Sequence, residues 1–137
     1  IEAVFPTGGF PQYDRTIDAT HVYAIHVDDG TIAAGWPKTT ASPVSGSVGL
    51  GDLEGNGRLD VVVGDQGGNV YAWRGDGTSV WTVHPGAAGS TTYSGVAIGD
   101  MNGGGRQDVA LGLSGIGDSA HLLQCLHHAG EGEHPLA

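Results

Sequence analysis

Two stretches of this chain are near copies of each other, and they constrain everything else. Val48-Gly-Leu-Gly-Asp-Leu-Glu-Gly-Asn-Gly-Arg-Leu-Asp-Val-Val-Val-Gly64 runs from an apolar segment through a loop of oxygen-bearing residues and glycines into a β-branched segment. Ser94-Gly-Val-Ala-Ile-Gly-Asp-Met-Asn-Gly-Gly-Gly-Arg-Gln-Asp-Val-Ala-Leu-Gly112 repeats that outline, with Asp100 standing 48 residues after Asp52. Val22-Tyr-Ala-Ile25 and Val70-Tyr-Ala-Trp73 keep the same spacing, and Asp29-Gly-Thr31 and Asp76-Gly-Thr78 nearly so. A constant period of roughly 20–50 residues marks a repeat architecture, in which each unit buries its apolar face against the next. The units are rich in short β-branched runs bounded by Gly, Asn and Asp, which predicts strands and turns rather than helices.

The loop itself has two readings. Asp52, Glu54, Asn56 and Asp60 occupy positions 1, 3, 5 and 9. Alternate residues can turn their oxygens toward one point, and Gly55 and Gly57 permit the tight backbone this requires. A hard cation such as Ca²⁺ takes about six to eight oxygen ligands, and these side chains with the Arg58 carbonyl at position 7 suit one. A Gly/Asn-rich hairpin turn without metal is the other reading. In the second copy Asp100, Asn102 and Asp108 answer Asp52, Glu54 and Asp60, while Gly104 replaces Asn56. Having lost one side-chain ligand, the second loop is expected to bind more weakly or to hold its shape without metal.

The pattern G-D-L-x-G-x-G-x-x-D-V-V-V-G, followed by Val-Tyr-Ala-Trp, Asp-Gly-Thr and a Trp-bearing strand, resembles the FG-GAP/VCBS repeat of integrin α-chain propellers and secreted bacterial surface proteins. The likeness extends over most of residues 1–125. It implies an all-β chain of propeller-type blades, each a four-stranded antiparallel sheet, with Ca²⁺ bound between the first two strands of a blade. By that match the ligands fall on Asp52, Glu54, Asn56, the Arg58 carbonyl and Asp60, and on Asp100, Asn102, the Arg106 carbonyl and Asp108. The family prefers Asp or Asn where Glu54 stands. The resemblance further implies a non-catalytic module for protein or carbohydrate binding or adhesion, located outside the cell, at its surface or in the periplasm.

Composition narrows the partners. With 15 Asp+Glu against 5 Lys+Arg, the formal charge of −10 disfavours nucleic acid and anionic membranes, whose phosphates require clustered cations. No apolar run is long enough to insert into a membrane. One cysteine, Cys125, excludes an internal disulfide framework. The chain opens on Ile1 with no leader pattern, as expected of a processed protein or an excised piece.

Taken in order, the spacing predicts a partial blade over 1–43, a complete blade over 44–92 with its loop at 52–60, a partial blade over 93–128 with its loop at 100–108, and a loose tail at 129–137. Residues 1–6 match the strand that leaves the metal loop, and an outer strand is expected over 31–36. The final unit is expected to have three strands. Fewer than about four blades cannot close a propeller, so the remaining blades belong to a longer chain or come from other copies in a homo-oligomer, the latter being the favoured expectation.

Weaker signals remain. Phe10 and Tyr13 lie in a long polar connection that folds over its own aromatics or presents a ligand platform. Trp36, Trp73 and Trp81 alternate with polar residues and are expected in the core or in the packing between blades, with stacking on a sugar the alternative for one that stands exposed. Arg74-Gly75-Asp76 spells an integrin-read tripeptide, but it falls where a hairpin turn is expected. His121, His127, His128 and His134 crowd the region of Cys125 without a second ligand cluster, so any metal there is adventitious. No motif of a hydrolase, metalloprotease or nucleotide-binding enzyme is present: Ser114 lacks the nucleophile-elbow context. The segment from Val70 to Trp81 also resembles the repeats of pyrroloquinoline-quinone dehydrogenases, so a piece of a propeller enzyme is the alternative, and a purely structural array a third.

Overall fold

Val61-Val62-Val63 is an unbroken apolar run because both of its faces are covered. Val61 and Val63 face one core, with Val22, Ala24, Trp36, Val44 and Trp73. Val62 faces another, with Leu53, Val70, Val109, Leu111 and Leu113. A strand buried on both faces loses the polar–apolar alternation of a half-exposed one. The strand in question is the second of the central sheet in a stack of three.

The computed structural model describes residues 2–7, 18–85, 89, 91–92, 95–114, 121–126 and 133–135. The first sheet joins β1 (Glu2–Pro6), β2 (His21–His26) and β3 (Lys38–Thr39). The second joins β4 (Gly49–Gly51), β5 (Asp60–Gly64), β6 (Val70–Arg74) and β7 (Ser79–Val83). The third joins β8 (Val96–Gly99), β9 (Asp108–Ser114), β10 (His121–Leu126) and β11 (Glu133–Pro135). Neighbouring strands are antiparallel and follow chain order, as in successive propeller blades. Among the described residues there is no helix, and none that could cross a membrane.

The expected repeat is visible in register. Asp60 pairs with Arg74 and Gly64 with Val70, just as Glu2 pairs with His26 and Pro6 with Val22. Residues 2–6 therefore hold the place of β5 in the first sheet, which has no counterpart of β4 among the described residues.

Two expectations are corrected. The tail over 129–137 is not strandless: Glu133–Pro135 pairs with β10, placing His134 opposite Cys125 and giving the last sheet four strands rather than three. A three-residue strand is too short to leave a period-two pattern in the sequence. The outer strand of the first sheet does not span 31–36. Ile32 makes a single bridge to Ile25, the chain turns at Ala34 and Gly35, and β3 pairs with the far end of β2. Pro37 has no N–H to give a ladder. Trp36 instead turns inward, meets Trp73 edge-on at 6.0 Å, and donates its indole N–H to the Gly75 carbonyl of the next sheet at 2.9 Å. Such an aromatic pair adds about 0.5–1.5 kcal/mol beyond its buried area. The tryptophans do serve the packing between blades, Trp81 joining from the half-buried side of the second core. Phe10, Tyr13, His127 and His128 lie outside the described residues.

The second and third sheets meet through bare backbone. A Cβ on Gly49 or Gly51 of β4 would collide with Val96 and Ile98 of β8 or with the Gln107 amide. The glycines flanking Leu50 thus set how closely the innermost strands approach.

Candidate metal site

Each loop is folded by its first and last aspartates acting on its own amides. In the first, the Asp52 oxygens accept the N–H groups of Asn56 at 2.9 Å and Gly57 at 2.7 Å, and Asp60 accepts that of Leu53 at 2.9 Å. In the second, Asp100 accepts from Gly104 at 3.0 Å and Gly105 at 2.8 Å, and Asp108 from Met101 at 2.9 Å. These are the same bonds moved by one repeat. The left-handed residues repeat too: Gly55 (φ 68°) and Gly57 (φ 81°) against Gly103 (φ 72°) and Gly105 (φ 81°). A side chain is strained in that region, which is why glycine stands at loop positions 4 and 6.

Burial separates the ends of each loop. Asp60 and Asp108 are 1% and 2% exposed, whereas positions 55–59 and 100–106 face solvent. Burial first, and then the Glu54 and Asp52 charges, pushes the Asp60 carboxyl above the ordinary aspartate value. Asp52 lies below it, because the Gly57 and then the Asn56 amide stabilise its charged form.

The middle positions differ between the loops. Glu54 turns to Arg74 on β6: both carboxylate oxygens accept from the guanidinium, at 2.7 and 2.8 Å. Asn56 uses its carbonyl on the Arg58 amide at 2.9 Å. Asn102, in the place of Glu54, accepts from the Gly104 amide at 2.7 Å. Among the described residues no three His, Cys, Asp or Glu side chains converge as a metal cage. The chemistry of the set nonetheless fits a hard cation. Every donor is oxygen, and Asp60 feels the negative charges of Glu54 and Asp52, which a divalent ion would offset. Asp52, Asn56, the Arg58 carbonyl and Asp60 would hold it in one loop, with Glu54 joining only by leaving Arg74. Asp100, Asn102, the Arg106 carbonyl and Asp108 would hold it in the other. A bound ion there would pin the two ends of the loop and so the angle between the first two strands of a blade.

The remaining expected features fall into place around the loops. Arg74-Gly75-Asp76 is a hairpin turn, closed by the Gly77 amide on the Arg74 carbonyl at 2.8 Å, and Asp76 caps the Thr78 amide and hydroxyl at 2.9 and 2.7 Å. Between the first and second sheets a cleft of about 560 Å³ opens beside the loop, lined in part by Glu2, His26, Asn56, Arg58 and Asp76.

One residue that sequence reasoning passed over ties the second sheet to the segment that leads into it from the first. Asp65 is fully buried. It accepts from the Ser42 amide at 3.1 Å, from both Asn69 nitrogens at 3.0–3.1 Å, and from the Tyr71 hydroxyl at 2.9 Å. Tyr71 in turn takes the Ala41 N–H at 3.0 Å. A buried carboxyl group is retained only when its oxygens are satisfied in this way. The one available signal was an aspartate directly after Val-Val-Val-Gly, which reads equally as a turn residue.

No curated protein matches the chain. The description FG-GAP-like repeat matches over residues 52–111, a span that opens on the first loop, contains the second and ends in β9. Two aspartate-folded loops, set at the same place in successive four-stranded antiparallel sheets and spanned by that match, make residues 52–111 similar to an FG-GAP-like repeat, and the sheets are consistent with propeller-type blades.

Proposed function

We propose that the chain is a non-catalytic, calcium-stabilised propeller module that works outside the cell by binding protein or carbohydrate. The observation that carries this reading is the recurrence of one loop, with carboxylates at positions 1 and 9, in successive blades. A turn with no ligand to hold has no need of Asp52 and Glu54 set near the buried Asp60, whereas a cation site does. FG-GAP-like repeats are generally structural rather than catalytic and occur typically in extracellular proteins, which supports the rest of the reading. The cleft beside the first loop, mixing acidic, basic and apolar walls, offers a surface for a polar ligand.

Association of copies belongs to the same proposal. The first sheet leaves the edge of β1 away from β2 without a strand among the described residues, and it carries Phe5, 42% exposed, stacked on Tyr23 at 6.0 Å. An open edge and an uncovered aromatic face favour blade-to-blade contact.

Thermal unfolding with light scattering, in calcium and then in EDTA, tests the proposal. Ligand at about 100-fold over its Kd adds ~2.7 kcal/mol to stability, so calcium is expected to raise the melting temperature by several degrees and EDTA to reverse it. A melt indifferent to both sinks the calcium part. A strictly monomeric mass under both conditions sinks the association.

A further inference from the structure

We propose that Asn56 is a site of spontaneous modification, converting to aspartate or isoaspartate with loss of ammonia, and that Asp52 is the residue that holds this reaction back. The inference stands whether or not the loop binds calcium.

The reaction asks for several things at one place, and the first loop supplies all but one. The residue after the asparagine must leave room for attack, and Asn56 is followed by Gly57. A methyl built on Gly57 would meet no atom within 4 Å, so the approach is open. The side-chain amide must fold back over the next peptide. Asn56 Oδ1 accepts the Arg58 N–H at 2.9 Å, an Asx turn that closes the amide over the Gly57 peptide and polarises its carbonyl. Water must reach the site, and residues 55–59 are exposed. The nitrogen that has to leave, Nδ2, meets nothing closer than Glu54 Oε2 at 3.4 Å among the described residues.

What the loop withholds is the nucleophile. The Gly57 nitrogen can attack only after giving up its proton, and its N–H is donated to Asp52 Oδ2 at 2.7 Å. An ionised acceptor makes such a bond about twice as strong as a neutral one. The carboxylate charge also opposes the negative charge that the nitrogen must carry before it attacks. Asp52 is fixed in this position, because its other oxygen accepts the Asn56 N–H at 2.9 Å. One carboxylate thus folds the loop and guards its labile amide.

When the guard is lost, the Gly57 nitrogen bonds to Asn56 Cγ and the Cγ–Nδ2 bond breaks. Ammonia leaves with the proton that Gly57 gave up, and a cyclic imide remains. Water opens the imide at either carbonyl. Opening at one gives aspartate, which sets carboxylates at loop positions 1, 3, 5 and 9. Opening at the other gives isoaspartate, which lengthens the backbone where the Asx turn stands and breaks it.

Incubation of the whole chain at one mildly alkaline pH tests the proposal, with peptide mapping by mass to separate Asn56 from Asn69 and Asn102. A synthetic peptide of residues 50–62 supplies the unguarded rate. The folded chain is expected to convert Asn56 about tenfold more slowly than the peptide, equivalent to ~1.4 kcal/mol of barrier. Asp52→Asn keeps an oxygen for both amides and removes the charge, so it is expected to recover part of the peptide rate, and Asp52→Ala all of it. Asp60→Ala loosens the other end of the loop at the Leu53 amide and is expected to stay near the wild-type rate. Conversion of the wild type as fast as the peptide, no acceleration in an Asp52→Asn chain that still unfolds cooperatively, or an equal acceleration in Asp60→Ala overturns the proposal.

Discussion

The loops at 52–60 and 100–108 fold alike and are charged differently. Their hydrogen bonds from positions 1 and 9, and their left-handed glycines at positions 4 and 6, agree residue for residue. Positions 3 and 5 carry Glu54 and Asn56 in one, Asn102 and Gly104 in the other. Four residues thus write the backbone, and the other side chains are free to decide what the loop attracts. The same division explains how a repeat keeps its shape while the chemistry at its tip drifts.

The largest effects should come from the shared residues. Asp60→Ala strands the buried Leu53 amide and Asp108→Ala the part-buried Met101 amide, at about 1–3 kcal/mol each. In EDTA, urea unfolding should show two losses of similar size, and a large loss at only one of them would break the equivalence of the loops. Next come Gly57→Ala and Gly105→Ala. Neither added methyl meets a neighbour within 4 Å, so only the left-handed backbone resists, at about 1–2 kcal/mol each. Unequal values would show that one loop relaxes where the other cannot.

The smallest effect concerns acid. Asp29 and Asp76 cap the Thr31 and Thr78 amides in matching hairpin turns, and those amide bonds hold both carboxyls below the ordinary value of 3.8. A depressed folded value means that the stabilisation is present above the unfolded value and is lost as pH falls through the folded one. Asp76→Asn should therefore flatten the unfolding curve slightly below about pH 4 and leave it unchanged at pH 7 beyond a constant offset. A profile that stays as steep as the wild type's would assign the acid sensitivity elsewhere.

The repeat, the strands bordering it and the glycine–aspartate loops were legible from residue order, because each arises from contacts within a few positions. A turn needing positive φ asks for glycine wherever it stands, and a strand covered on both faces asks for Val-Val-Val. The tryptophans were readable as packing residues for a similar reason, since few environments other than a core accept them. Less could be read at the edges. Trp36 leaves its expected strand because its indole finds Gly75 on another sheet, and Glu133–Pro135 becomes a strand because β10 offers it a ladder.

The sequence by itself determined the period, the blade pattern and the loop backbones, all of them products of local sterics and short-range hydrogen bonds. Tertiary structure alone decided that Asp65 is a buried junction between the second sheet and the segment that leads into it, and that Glu54 faces a guanidinium from 20 residues away. Both depend on which side chains meet after the sheets have stacked, and electrostatic energy follows that distance through space rather than along the chain.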